Sequence, residues 1–192
     1  AGGVIYLTSL IFNNIGLSAT DIGLGFTISA IIGTVTRLFT GNYLNKTGGI
    51  QPPLITSSIL SIAASLFLIF SRDTFLYIIG QSFVGAAAGI YWPAAEFGIP
   101  YFCHPIDTRK AYALVRSSEA LGIFLGVFLG GFMTNFLYFK SIFVNDIFCM
   151  FVITYLISRN NSSITKSLEN FQNKLVNPIK KGQLKWLSLI HI

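Results

Sequence analysis

Arg116 and Glu119 stand three residues apart inside one long apolar run, Ala111–Phe136. On a helix that spacing puts them on the same face. Glu119 lies about eight residues into the run, ~12 Å at 1.5 Å per residue, close to mid-bilayer if the run crosses a membrane. An ionisable group at that depth costs at least ~2.5–3.5 kcal/mol to insert and marks function by default. Two chemistries are open. Facing a cavity, Glu119 binds a proton or a solute, because desolvation of an isolated carboxylic acid favours the neutral form. Alternatively it forms a structural ion pair with Arg116, shared with Glu96 of the preceding run, and the pair keeps the carboxylate charged.

The other chemistry-bearing residues narrow the field. A membrane-embedded enzyme needs a nucleophile with a base, or metal ligands, at membrane depth. The two histidines are His104, in a polar connection, and His191, at the end of the chain. No HExxH or paired-aspartate pattern occurs. Cys103 and Cys149 have no metal or redox spacing and read as small buried apolar residues. Phosphate-cradling glycine loops are absent too, so neither ATP nor another cofactor is expected. Gln81, Tyr91 and Trp92 lie in the run Leu76–Phe97. Tyr91 and Trp92 fall well inside it, away from an interfacial belt, where they line a cavity or simply pack. Arg37 reads as a snorkelling or locally paired side chain. Asp146, beside Asn145, lines an outer vestibule or pairs with Lys140 or water.

Such residues need elements to hold them. The chain is 53% hydrophobic and only 10% charged, against about 25% charged in soluble domains. Apolar runs recur at Val4–Phe12, Ile22–Phe39, Leu54–Phe70, Leu76–Phe97, Ala111–Phe136 and Ile142–Ile157. A helix needs about 20 residues to cross the hydrocarbon core, and the middle runs fit. They are continuous, without the alternation of barrel strands. An all-α polytopic membrane protein is expected. The first run is short, and Trp186–Ile192 reads as the opening of a seventh helix. Both suggest a fragment. Three parts are expected: a six-helix bundle over 1–158, a cytoplasmic linker over 159–185, and the start of the next helix over 186–192.

Charge sets the orientation. Lys46, Arg109, Lys110, Arg159 and the lysines up to Lys185 fall on one set of connections; Arg72 and Lys140 fall on the other. The first set is cytoplasmic by the positive-inside rule. The net charge of +6 is therefore a topology signal, and no basic groove for nucleic acid is visible. In the linker, Ile164, Leu168, Phe171 and Leu175 draw an apolar stripe at helical spacing. A helix lying on the cytoplasmic membrane surface is one reading, and a disordered tether is the other.

Three motifs carry a family resemblance. Gly41-Asn-Tyr-Leu-Asn45-Lys46-Thr-Gly48 resembles the loop between helices two and three of the major facilitator superfamily, with Asn45 in place of the usual Asp. Gln81-Ser-Phe-Val-Gly85-Ala-Ala-Ala-Gly89 resembles its fourth-helix pattern, with Gln81 in place of Arg. Gly122-Ile-Phe-Leu-Gly126-Val127-Phe-Leu-Gly130-Gly131 resembles the antiporter signature of its fifth helix, with Val127 in place of Pro. Arg109 resembles the family's cytoplasmic anchor between helices four and five. The resemblance covers nearly the whole chain. It implies one six-helix half of a twelve-helix transporter, monomeric when intact, in a bacterial inner membrane. It also implies a small-molecule substrate moved by alternating access against the absent C-terminal half, driven by a proton or other ion gradient. The fifth-helix signature implies efflux, whereas Gln81 and Val127 leave uptake, facilitation or a non-transporting sensor as alternatives. Gly41, Asn45, Lys46 and Gly48 would form the conformational-switch loop. The glycines Gly122, Gly126, Gly130 and Gly131 would offer a smooth packing face.

Overall fold

The computed structural model describes residues 2–102, 107–136 and 140–159. The expected linker helix beyond Arg159, the start of a seventh helix, and Cys103, His104 and His191 lie outside the described residues.

Among the described residues six α-helices follow one another: α1 Gly2–Ile15, α2 Ala19–Thr47, α3 Gln51–Phe70, α4 Thr74–Phe102, α5 Thr108–Phe136 and α6 Ser141–Arg159. Each of the six apolar runs falls inside one of them. Five helices, α2 to α6, are long and apolar enough to cross a membrane. Only elements that satisfy their own backbone hydrogen bonds survive in lipid, and helices do so.

Local chemistry sets the boundaries. Gly16 takes φ 101° after α1, a conformation that favours glycine. The Ser18 hydroxyl accepts from the Asp21 N–H at 3.1 Å and donates to the Asp21 carboxylate at 2.7 Å, capping α2. At the other end Gly48, with φ 64°, donates its N–H to the Leu44 carbonyl at 2.8 Å, a left-handed C-cap. Pro52 and Pro53 sit in the first turn of α3, where their missing donors cost least. Asp107 opens α5, accepting the Arg109 N–H at 3.2 Å.

One expectation changes here. Gly41, Asn45 and Lys46 are not loop residues, because α2 runs on through Thr47 and the reversal is confined to Gly48–Ile50. Nothing before Gly48 breaks the helix: Gly41 has open space around its Cα, and a lone glycine costs a helix only about 1 kcal/mol.

The helices pair as α2 with α4, α4 with α3, α3 with α6, and α1 with α5. Two buried clusters close the bundle at its ends. Phe12, Ile22, Leu68, Tyr77, Ile142 and Phe143 meet at the end that holds the α1–α2, α3–α4 and α5–α6 connections. Phe12 is the hub, with ring centroids 4.6 Å from Tyr77 and 6.2 Å from Phe143. Leu44, Ile50 and Ala94 meet at the opposite end. Between them, large apolar side chains such as Phe39, Phe124 and Phe148 point outward. Water would penalise that arrangement, and lipid does not. Cys149 is exposed on this outer surface and is not a core residue.

Candidate functional site

The charged residues of α4 and α5 converge. Arg116 donates through Nη1 to Glu119 Oε2 at 2.9 Å and through Nη2 to Glu96 Oε1. Its guanidinium carbon lies 4.9 Å from the centroid of the Trp92 ring, within cation–π range. Trp92 in turn meets Tyr91 edge-on at 5.4 Å. Tyr112 adds a second tie, its hydroxyl donating to the Glu96 carbonyl at 3.1 Å. The cluster comes from α4 and α5, two helices consecutive in the chain. Glu96 lies ten residues before Ile106 and Arg116 ten residues after it, so the pair faces across the hairpin at equal depth.

Two carboxylates therefore share one guanidinium, a formal charge of −1. The side chains of Arg116 and Glu96 are 52% and 45% exposed, and that of Glu119 is 27% exposed. The cluster opens on a surface of the bundle and is not sealed in its core. Of the two chemistries open for Glu119, the ion pair is the arrangement present. Such a cluster can exchange partners: a proton or a cation arriving at either carboxylate leaves the other to hold Arg116.

The remaining expected residues are placed as follows. Gln81 is buried, and its side chain hydrogen-bonds Tyr77, whose hydroxyl donates to the Ile22 carbonyl at 3.2 Å. It thus belongs to the α2–α4 contact. It lies on the same α4 face as Trp92 and Glu96 but about 22 Å from Glu96 along the axis. Asn45 and Lys46 are exposed near the end of α2. The Arg109 side chain is 94% exposed and reaches only Asp107, at 4.0 Å; among the described residues it anchors no second helix. Of the fifth-helix glycines, Gly130 packs against Ile142 and Leu7, while a methyl group added to Gly122 or Gly131 would meet nothing within 4 Å. Gly126 is half-buried.

The tight glycine contact lies elsewhere, between α2 and α4. A Cβ on Gly85 would sit 2.1 Å from the Ser29 carbonyl oxygen, and one on Gly89 would sit 2.3 Å from the Gly33 carbonyl oxygen. Gly33 belongs to none of the three motifs. Its signal in the sequence is spacing: Gly25 and Gly33 fall on one α2 face.

At the other end, Asp146 does not take Lys140 as its hydrogen-bond partner. Its carboxylate accepts from the Ser65 hydroxyl at 2.9 Å and the Ser61 hydroxyl at 3.5 Å. Lys140 donates instead to the Ile69 and Ser71 carbonyls at 2.7 and 2.6 Å. Those carbonyls are the negative end of α3, which attracts a cation. Burial, and then Arg72, push the Lys140 ammonium below its ordinary pKa. Sequence reasoning misses Ser61 and Ser65, because nothing local tells that α3 packs on α6. Among the described residues, no group of three or more metal-ligating side chains occurs.

Comparison with known proteins agrees with this architecture. The sequence model of the Major Facilitator Superfamily matches residues 2–190. No curated protein matches the chain closely enough to count as a relative. A match over nearly the full length, on six helices of which five can span a membrane, leads to one conclusion: the chain belongs to the major facilitator superfamily of transporters.

Proposed function

We propose that this chain forms one half of a secondary active transporter that exports a small solute in exchange for protons across a bacterial inner membrane. Such a half works by rocking against a second half around a central site. The observation that carries the reading is Arg116 shared between Glu119 of α5 and Glu96 of α4. Ionisable groups at membrane depth mark ion and substrate pathways, and here one cation is held by two competing acids. Protonating Glu119 passes Arg116 wholly to Glu96, across the α4–α5 hairpin. That change in partner gives a proton a means of biasing one helix against the other. The open face around Gly122 suits contact with a second half, and the glycine spacing of α5 supports the export direction. Members of this superfamily move solutes without covalent chemistry, and the reading needs no cofactor beyond an ion gradient.

The test is proton movement in inverted vesicles carrying the intact transporter, with and without Glu119→Gln. Proton release when an amphiphilic solute is added, abolished by the substitution, supports coupled export. Solute flux without any proton movement sinks coupling. It favours facilitation, a second reading supported by the engagement of Gln81 with neutral Tyr77, which leaves no charge at that position.

A further inference from the structure

A groove of about 290 Å³ runs between α2 and α4, with Arg37 lining it together with Phe26, Thr34, Gln81, Val84 and Ala88. The volume lies just below the usual range of small-molecule pockets, about 300–1,000 Å³. Gly33, Gly85 and Gly89, where the backbones of the two helices touch, are among the groove's lining residues. The groove is chemically polarised. Its outer end is walled by Phe26 and Val84 and closed by Gln81, whose side chain is engaged with Tyr77. The Thr34 hydroxyl donates back to the Ala30 carbonyl at 2.9 Å and offers the groove no free donor. Arg37 lies at the inner end, ten residues before the end of α2, ~15 Å along the axis.

Arg37 makes no hydrogen bond or ion pair among the described residues. The two acids of the α4–α5 cluster are both held by Arg116, and Asp21 is tied to Ser18 at the far end of α2. Arg37 is exposed near the inner end of its apolar run, where its long side chain reaches the headgroup level. These acids of the bundle are engaged elsewhere, so its fork is open to an oxyanion. We propose that the groove binds an oxyanion, a carboxylate or a phosphate, forked by Arg37, with a short apolar tail lying toward Phe26 and Val84. Arg suits this role because its planar fork matches both oxyanions. From Phe26 to Arg37 the groove offers about 16 Å, enough for a medium-length tail. The site is distinct from the α4–α5 cluster, and binding there does not depend on the direction or coupling of transport. The oxyanion comes either from a free amphiphilic acid or from a phospholipid headgroup of the inner leaflet.

The experiment measures equilibrium binding of radiolabelled decanoate to the full chain in phosphatidylcholine nanodiscs, with decanol as uncharged competitor. Mass spectrometry of parallel preparations containing phosphatidic acid counts retained lipid. Three variants accompany the wild type: Arg37→Gln, Arg37→Lys, and Ala88→Phe, which fills the groove without touching charge. The expected result is saturable decanoate binding, weakened at least about tenfold by Arg37→Gln and by Ala88→Phe. Arg37→Lys should retain part of the affinity, which shows that a folded chain has lost only the fork. Retention of phosphatidic acid instead of decanoate, with the same variant pattern, upholds the site and assigns it to a headgroup. Equal binding of both anions by wild type and Arg37→Gln, or full competition by decanol, overturns the proposal.

Discussion

Gly85 lies so close to Ser29 that a methyl group on its Cα would stand 2.1 Å from the Ser29 carbonyl oxygen. The obstacle is backbone, so it cannot swing aside. In lipid no hydrophobic force draws two helices together, and close packing of small residues does that work. The α2–α4 contact is therefore the most sequence-sensitive joint in the bundle, and it also shapes the groove that holds Arg37.

Gly85→Ala is expected to lower the thermal midpoint of the purified chain in detergent, with a cost of about 1–3 kcal/mol from overpacking. Gly122→Ala, made at a position with nothing within 4 Å, should change stability by no more than about 1 kcal/mol. Equal losses in both variants would mean that Gly122 packs against a neighbour within this chain.

The helix end at Gly48 gives an opposite pair. Gly48→Ala forces a Cβ into φ 64° and should cost about 1–2 kcal/mol. Gly41→Ala, inside α2 with open space around it, should gain up to about 1 kcal/mol. Chemical or thermal unfolding of the two variants checks whether the motif is helix or loop, because a looped Gly41 would not gain.

The shared arginine makes a double-mutant prediction. Glu96→Gln and Glu119→Gln each leave Arg116 one carboxylate, whereas the double variant leaves it none. Combined losses in thermal midpoint should exceed the sum of the single losses. Strict additivity would show that the two acids do not act on the same guanidinium.

Asp146 ties α6 to α3 through Ser65. Ser65→Ala removes the shorter hydrogen bond to a buried carboxylate and should destabilise the bundle by about 1 kcal/mol. Ser61→Ala, which removes a contact at 3.5 Å, should cost less. The thermal midpoints of the two variants, compared side by side, decide this ranking.

Lys140 gives a pH signature. Burial and Arg72 hold its folded-state pKa below the ordinary 10.5. Just below that value the unfolded chain binds more protons than the folded one, so this group makes stability rise as pH climbs through the window. Arg72→Gln removes the second cause and should move Lys140 upward and flatten the rise. The pH profile of Lys140 acylation, followed by mass spectrometry, reads the shift directly; an unchanged profile would remove Arg72 as a cause.

Composition and local pattern settle the elements and their medium. Long apolar runs with little charge admit only membrane helices, and the basic residues gather on every second connection. Ser18, Gly48 and Pro52-Pro53 mark boundaries through local hydrogen bonding and dihedral preference, which a reader of the chain can work out. The Arg116–Glu119 pair is legible for the same reason, being three residues apart on one helix, and Glu96 is foreseeable from the antiparallel hairpin. The extension of α2 through Gly41 is not legible, because a glycine that punctuates a loop and one tolerated in a helix look alike until the next residues pack. Packing alone decides that Ser29 meets Gly85, that Ser65 meets Asp146, and that Lys140 caps α3. These partners lie far apart along the chain. Helices that are apolar all round carry no stripe to say which side faces a neighbour and which faces lipid. Pairing rests instead on where small side chains let backbones touch, and that is a property of two surfaces at once.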